Sequence, residues 1–318
     1  MTKIIVTGAS GYIGGQISLQ LKDSGFDVYG VDWRACPAHL QHVFTGFSNN
    51  DFVDRQCINW MLGLEPQAII HCAGTSLVGP SIESPQLYYN NNVAKTLTLL
   101  NAIIARVEKP RFIFSSSAAV YGTPLMTPIH EVDPKEPISP YGESKRMVEQ
   151  MLAAYHLAYG LDYVAFRYFN ACGADPRARH GQEPGATHII ARVLESIRDE
   201  HEFYLYGVKF NTPDGTCIRD YVHVDDIARA HILALSKIVV PRGVYNIGST
   251  SGTTNREIIA MAEYVTGAKV DVVGVPPRPG DPDVLTASSD QFTACSGWKP
   301  EYNLEDIVRH AWAWYNKA

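Results

Sequence analysis

A doubly wound parallel α/β sheet, followed by a smaller C-terminal α/β unit, is the fold class predicted for this chain of 318 residues. Three observations point to it. Short apolar runs at Ile4-Ile5-Val6, Val28 to Val31, Ala68-Ile69-Ile70, Phe112-Ile113-Phe114 and Tyr163-Val164-Ala165-Phe166 alternate with longer amphipathic stretches, and connections of that length join parallel strands by right-handed crossovers. A glycine-rich turn, Gly8-Ala9-Ser10-Gly11-Tyr12-Ile13-Gly14, follows the first run directly. The rhythm then breaks after Asn170, where residues 175–185 are rich in Pro, Gly, Arg and His.

In chain order, the first run feeds the glycine turn, which opens a helix from Tyr12 to about Ser24. The second run ends in Asp32, and the third in His71-Cys72-Ala73-Gly74. The fourth ends in Ser115-Ser116-Ser117, and Ser139-Pro140 begins a helical pattern that continues through Tyr155. Residues 1–170 are therefore expected to form a Rossmann domain, rejoined by about 218–247, with the rest of residues 171–318 forming the second domain.

Composition excludes several classes. With 46% hydrophobic and 19% charged residues the chain is an ordinary globular protein, and a net charge of −6 without a basic run argues against nucleic acid or an anionic membrane as partner. The cysteines Cys36, Cys57, Cys72, Cys172, Cys217 and Cys295 form no C-x-x-C pair, so neither a disulfide framework nor a metal site is expected. No apolar run reaches 18 residues, and the cytoplasm is the expected compartment.

The glycine turn suits a dinucleotide. Glycines allow a tight turn and close backbone approach to a pyrophosphate, whose charge the helix N-terminus favours. Asp32 can accept both hydroxyls of an adenine ribose and repel a 2′-phosphate, which selects NAD over NADP, although Arg34 is a candidate to bind that phosphate. Tyr141-Gly142-Glu143-Ser144-Lys145 is the only Tyr-x-x-x-Lys in the chain. Its ends share a helix face, so the Lys145 ammonium can reach back to the Tyr141 phenol. Serving as a base at neutral pH asks that phenol to drop by roughly 3 pKa units. Ser117 sits at the same carboxyl edge as the glycine turn and is a candidate to share the proton.

These stretches, with Tyr88 to Val93, Arg167 to Asn170, Asp214 to Asp226 and Arg278 to Asp281, give a chain that resembles the extended short-chain dehydrogenase/reductase family, and within it the UDP-glucose 4-epimerase group. The resemblance implies Tyr141 as base, Lys145 as its activator and Ser117 as the proton-sharing hydroxyl. For NAD it implies Gly8, Gly11, Tyr12, Ile13, Gly14, Asp32, Ala73, Gly74, Asn91, Tyr141, Lys145 and Tyr168. For the UDP-sugar it implies Ser117, Tyr141, Asn170, Arg219, Arg278 and Asp281, the arginines supplying forks suited to phosphate oxygens. It also implies a homodimer through a helix from Pro85 to Val107 and the helix beginning at Ser139. Oxidation at C4 to a keto sugar, rotation and re-reduction is the implied reaction.

Departures from that pattern carry expectations of their own. Gly46-Phe47-Ser48 stands where the relatives have a Gly-Asp-Ile-like segment near the adenine, and Ser76 where they have a lysine, so NAD is expected to be lost during purification. Leu285 stands where some relatives carry Tyr, which would leave room for an N-acetyl group; plain core packing is the other reading. Ala118-Ala119 replace the acidic pair of related dehydratases, which disfavours elimination. A UDP-N-acetylglucosamine or UDP-xylose/arabinose epimerase and a non-catalytic NAD-binding sensor are the remaining alternatives.

Overall fold

The structure, a computed structural model, describes residues 2–277 and 281–317. The first six strands, β1 (Lys3–Thr7), β2 (Asp27–Val31), β3 (Gly46–Ser48), β4 (Ala68–His71), β5 (Arg111–Ser117) and β6 (Tyr163–Tyr168), pair in parallel in the order 3-2-1-4-5-6. The chain then leaves the sheet through β7 (Asn170–Cys172), β8 (Phe203–Tyr206) and β9 (Ile218–His223), and returns with β10 (Gly243–Ile247), which pairs parallel to β6 with Asn246 opposite Arg167. The remaining strands are β11 (Gly252–Thr254), β12 (Val272–Val275) and β13 (Val284–Leu285). A small mixed sheet places β9 between β11 and β13, with β7 also paired to β9, while β12 lies beside β8.

Both faces of the large sheet are covered, which is why its strands read as unbroken apolar runs. Successive side chains alternate between faces. Ile4, Val6, Ile70, Ile113 and Phe166 belong to the cluster that also holds Ile17 and Leu21 of the Tyr12–Asp23 helix and Ile227 of the Val224–Leu233 helix. Ile5, Ile69, Phe112 and Phe114 pack instead with Met61, Leu99, Ile103, Val148 and Leu152. Each such fully buried side chain contributes about 1.5–3 kcal/mol.

The catalytic-helix candidate runs Pro140–Tyr159: the Ser139 hydroxyl accepts from the Gly142 amide at its N-cap, Pro140 occupies the first turn, and Gly160 ends it in the left-handed region at φ 70°. The stretch expected as one helix from Pro85 to Val107 is different. It comprises a turn of helix at Pro85–Tyr88, a π-helical segment at Tyr89–Ala94 and an α-helix at Lys95–Ile104. Asparagines at positions 90 to 92 are poor helix formers, and two of their side chains are engaged outside the helix. Gly46-Phe47-Ser48, which carries no apolar run of its own, is the edge strand β3, with Gly30 opposite Phe47, and the loop at its carboxyl end begins at Asn49.

Candidate active site

β1 and β4 are neighbours although two strands, β2 and β3, lie between them in the chain, and the strand order reverses here. That switch point is where open α/β sheets bind ligands. Gly8 stands at φ 73°, and a Cβ there would fall 2.7 Å from the Ala73 amide nitrogen; a Cβ on Gly14 would fall 2.3 Å from the Gly8 carbonyl oxygen. Only glycines let the turn fold this tightly against the Cys72–Ala73 backbone. The helix that follows has Gly11 at its N-cap with no side-chain cap, so its first amides are open to an anion. Tyr12 leans across to donate from its hydroxyl to the Gly173 carbonyl at 2.7 Å, and Ile13 packs on the sheet core.

Asp32 is nearly buried and ties the turn to the second strand's end. Its Oδ2 accepts from the Ser10 amide at 3.0 Å and its Oδ1 from the Arg34 amide at 2.9 Å, while the Arg34 Nε lies 3.5 Å from Oδ1. Arg34 is thus paired to the carboxylate it was weighed against. A crowded glycine cradle, an uncapped helix start and a carboxylate beside it fit the pyrophosphate and adenine ribose of a dinucleotide.

The candidate catalytic residues come together at the carboxyl end of β5. Tyr141 is 9% exposed; burial pushes its phenol up, the hydrogen-bonding hydroxyl of Ser117 acts in the opposite sense, and Tyr88 reinforces burial. Lys145 is buried beside it, and burial brings its ammonium down to about 8 against the opposing pull of Cys72 and Glu149. The Lys145 Nζ donates to the Ser115 carbonyl at 2.8 Å and lies 5.8 Å from the Tyr141 ring centroid. Ser115, Ser116 and Ser117 therefore divide the work: one backbone carbonyl holds the lysine, one hydroxyl meets the tyrosine, and the middle one turns to the helix behind.

Ala73 and Gly74 follow β4 on the same edge, and the loop beyond is pinned by two asparagines. Asn92 accepts from the Thr75 amide at 2.8 Å and donates to Ser144 Oγ at 2.9 Å, while Asn91 donates to Thr75 Oγ1 at 3.0 Å. The sequence singled out Asn91, as a residue near NAD, and passed over the buried Asn92. Ser76 is exposed. The Tyr168 hydroxyl is engaged internally, 3.0 Å from Ser115 Oγ and 2.8 Å from His231 Nε2.

On the other wall, Arg219 and Asp281 form an ion pair at 3.5 Å, and Asn170 donates to the Asp220 carbonyl at 2.8 Å. Arg278 lies outside the described residues. Leu285 stands opposite Arg219 in the β9–β13 register, half-buried against the cluster of Ala118, Tyr121 and Phe169. Sequence reasoning passed over Asp220, whose buried carboxylate accepts from the amides of Ser249, Thr250 and Ala287 and so fixes the strand that carries Arg219. It also passed over Glu149, which repeats the four-residue spacing of Tyr141 and Lys145 once more.

Fold and site together are those of a nucleotide-binding enzyme, with a buried tyrosine and lysine at the carboxyl edge of its sheet. The chain belongs to the NAD dependent epimerase/dehydratase family, whose model matches residues 4–248. It is 39% identical over 326 aligned residues to the UDP-glucose 4-epimerase of Halalkalibacterium halodurans, covering 99% of this chain and 96% of that one. It is 40% identical to the UDP-glucose 4-epimerase of Azospirillum brasilense, over 98% of this chain and 91% of that one. Among solved structures, the UDP-glucose 4-epimerase from Brucella ovis in complex with NAD matches with a TM-score of 0.93 at 37% identity, covering 98% of each chain. The UDP-glucose 4-epimerase from Stenotrophomonas maltophila with bound NAD and formylated UDP-arabinopyranose also matches at 0.93, with 30% identity over 100% of this chain and 98% of that one.

Proposed function

We propose that the protein is an NAD-dependent isomerase that interconverts UDP-glucose and UDP-galactose by inverting the sugar C4. The observation that carries this reading is the meeting of Ser117, Tyr141 and Lys145 on the carboxyl edge of the sheet, the edge that also carries the glycine cradle. Identity of 39% and 40% over nearly the full length of named UDP-glucose 4-epimerases supports the substrate.

NAD, when bound, supplies a reversible hydride acceptor for the carbon being inverted. Gly8, Gly11, Gly14, Asp32, Ala73, Gly74 and Asn91 are the residues to hold it, with Tyr12, Ile13 and Tyr168 lining the turn and the edge behind. Tyr141 Oη takes the proton of the C4 hydroxyl, Ser117 shares it, and the Lys145 charge favours the phenolate. Arg219, with Arg278 and Asn170, grips the pyrophosphate while Asp281 holds the uridine ribose, which lets the oxidised sugar turn its other face to the hydride that bound NAD would return, as Tyr141 gives the proton back to the C4 oxygen.

The reading includes a homodimer. Leu87, Leu97 and Met147 are 46%, 38% and 37% exposed along the Pro85–Ile104 stretch and the Pro140–Tyr159 helix, where apolar side chains gain most from a second copy. No helix among the described residues is long and apolar enough to cross a membrane. The unpaired cysteines support work in a reducing compartment, the cytoplasm.

The test is incubation of the purified protein with UDP-galactose without added cofactor, followed by the anomeric proton signals in NMR. Conversion to UDP-glucose is expected. Silence that persists after adding NAD would overturn the substrate assignment.

A further inference from the structure

Behind the row of serines lies a buried ion pair that the reaction as described does not use. Glu149 follows Lys145 by one helical repeat, as Lys145 follows Tyr141, so the three share one stripe of the Pro140–Tyr159 helix. Its carboxylate is 7% exposed and receives three hydrogen bonds: from Ser116 Oγ at 2.5 Å, Arg167 Nε at 3.0 Å and Arg167 Nη2 at 2.6 Å. Ser116 and Arg167 are cross-strand partners on β5 and β6, so one carboxylate fastens the helix to two adjacent strands. Arg167 in turn donates to the Tyr121 hydroxyl at 2.7 Å, which donates to Asn246 on β10 at 2.7 Å, so the guanidinium cannot drift from Glu149.

Resting on the epimerase reading above, we propose that Glu149, paired with Arg167, is a positioning residue for the reaction. By clamping Ser116 to the helix it sets the Ser115 carbonyl that holds Lys145 and the Ser117 hydroxyl that meets Tyr141, and its charge sustains the Lys145 ammonium. The geometry allows little else to do this. The groups facing Lys145 are Tyr141 and Glu149 on its own helix, the Phe114 ring and Ser115 carbonyl from β5, and His71 and Cys72 from the end of β4. Both His71 and Cys72 are held neutral at ordinary pH, His71 brought down to about 3 and Cys72 pushed up to about 11, mainly by burial. Glu149, one helical turn from Lys145 and paired with Arg167, is the acidic side chain in this set, and its field favours the ammonium in a setting where solvent screens little.

Glu149→Gln keeps the shape and removes the charge. Its expected effect in the full-length holoenzyme is a 10- to 100-fold loss of kcat for UDP-galactose, KM within threefold of the parent, and an alkaline limb of kcat moved to lower pH. Independently of activity, the titration of the Lys145 signal in protein labelled with 13C at lysine Cε, assigned by its absence in Lys145→Arg, is expected to move the same way. Ser116→Ala, which removes one contact and no charge, is expected to cost 3- to 10-fold in kcat with the alkaline limb unmoved. A Glu149→Gln protein with kcat within twofold of the parent and an unchanged Lys145 titration would overturn the proposal; should that variant fail to fold, a Ser116→Ala kcat within twofold of the parent does so instead. If the parent itself turns over no UDP-sugar, the epimerase reading has failed, and the Lys145 titration still decides whether Glu149 sustains that charge.

Discussion

Lys145 donates its hydrogen bond to the Ser115 carbonyl at 2.8 Å, and its Nζ lies 5.8 Å from the centre of the Tyr141 ring. The lysine is therefore fixed by the strand and not by the tyrosine. An ammonium so held keeps its place whether the phenol is protonated or not, which suits the acid–base role proposed for Tyr141.

Tyr141→Phe keeps the ring's packing and removes the proton acceptor. A loss of kcat of about 10²–10⁴ is expected, in line with removal of a general acid–base group, with folding unchanged by circular dichroism. Near-normal turnover would remove Tyr141 from the chemistry.

Arg219→Ala is expected to raise KM for UDP-galactose by roughly 10- to 100-fold, the equivalent of one charge-assisted hydrogen bond at about 1.5–3 kcal/mol, with a smaller change in kcat. Asp281 then loses its partner as well, so Asp281→Asn should have the weaker effect of the two. Initial-rate kinetics on both variants tests the order.

Stability should fall with acid before carboxylates matter. Burial brings His71 and His223 down to about 3 and His180 and His231 down to about 4. Because these folded-state values lie below the unfolded value near 6.5, the unfolded chain binds more protons, and stability is lost as pH falls below that point. Each histidine contributes roughly 1.4 kcal/mol of loss per pH unit. A urea midpoint at pH 5.5 clearly below that at pH 7.5 is expected; equal midpoints would contradict it.

Ser76 faces solvent beside the loop that Asn91 and Asn92 pin. With no lysine there, NAD is expected to leave on extensive dialysis, seen as a falling ratio of absorbance at 260 nm to that at 280 nm. Ser76→Lys is expected to slow the loss.

Leu97→Glu places a charge on the helical face proposed to meet a second copy. A shift from dimer to monomer in sedimentation velocity is expected, with each subunit still folded. An unshifted dimer would place the interface elsewhere.

Much of the fold was legible because strands buried on both faces write themselves as plain apolar runs: β1, β2, β4, β5 and β6 each contain the run that announced them. β3 was missed because three residues, Gly46 to Ser48, at a sheet edge carry too little pattern to tell from a loop. The helix at Pro85 was read as regular because two of its asparagines, Asn91 and Asn92, act through tertiary bonds to Thr75, which no periodicity reports. The site shows the same division. Residues standing in short motifs were legible, whereas Glu149 and Asp220 act by gathering partners from distant strands and loops.

The late return of β10 has a bearing on how the chain is made. Until residues 243–247 emerge from the ribosome, β6 presents a bare apolar edge, and the chain from Tyr168 to Gly243 must be synthesised before its neighbour exists. At 5–20 residues per second that is an interval of about 4–15 s, during which an unpaired parallel strand is open to pairing with another nascent chain. Newly made copies will therefore depend on shielding by chaperones more than the compactness of the finished protein suggests, and a fragment ending near residue 170 is expected to aggregate.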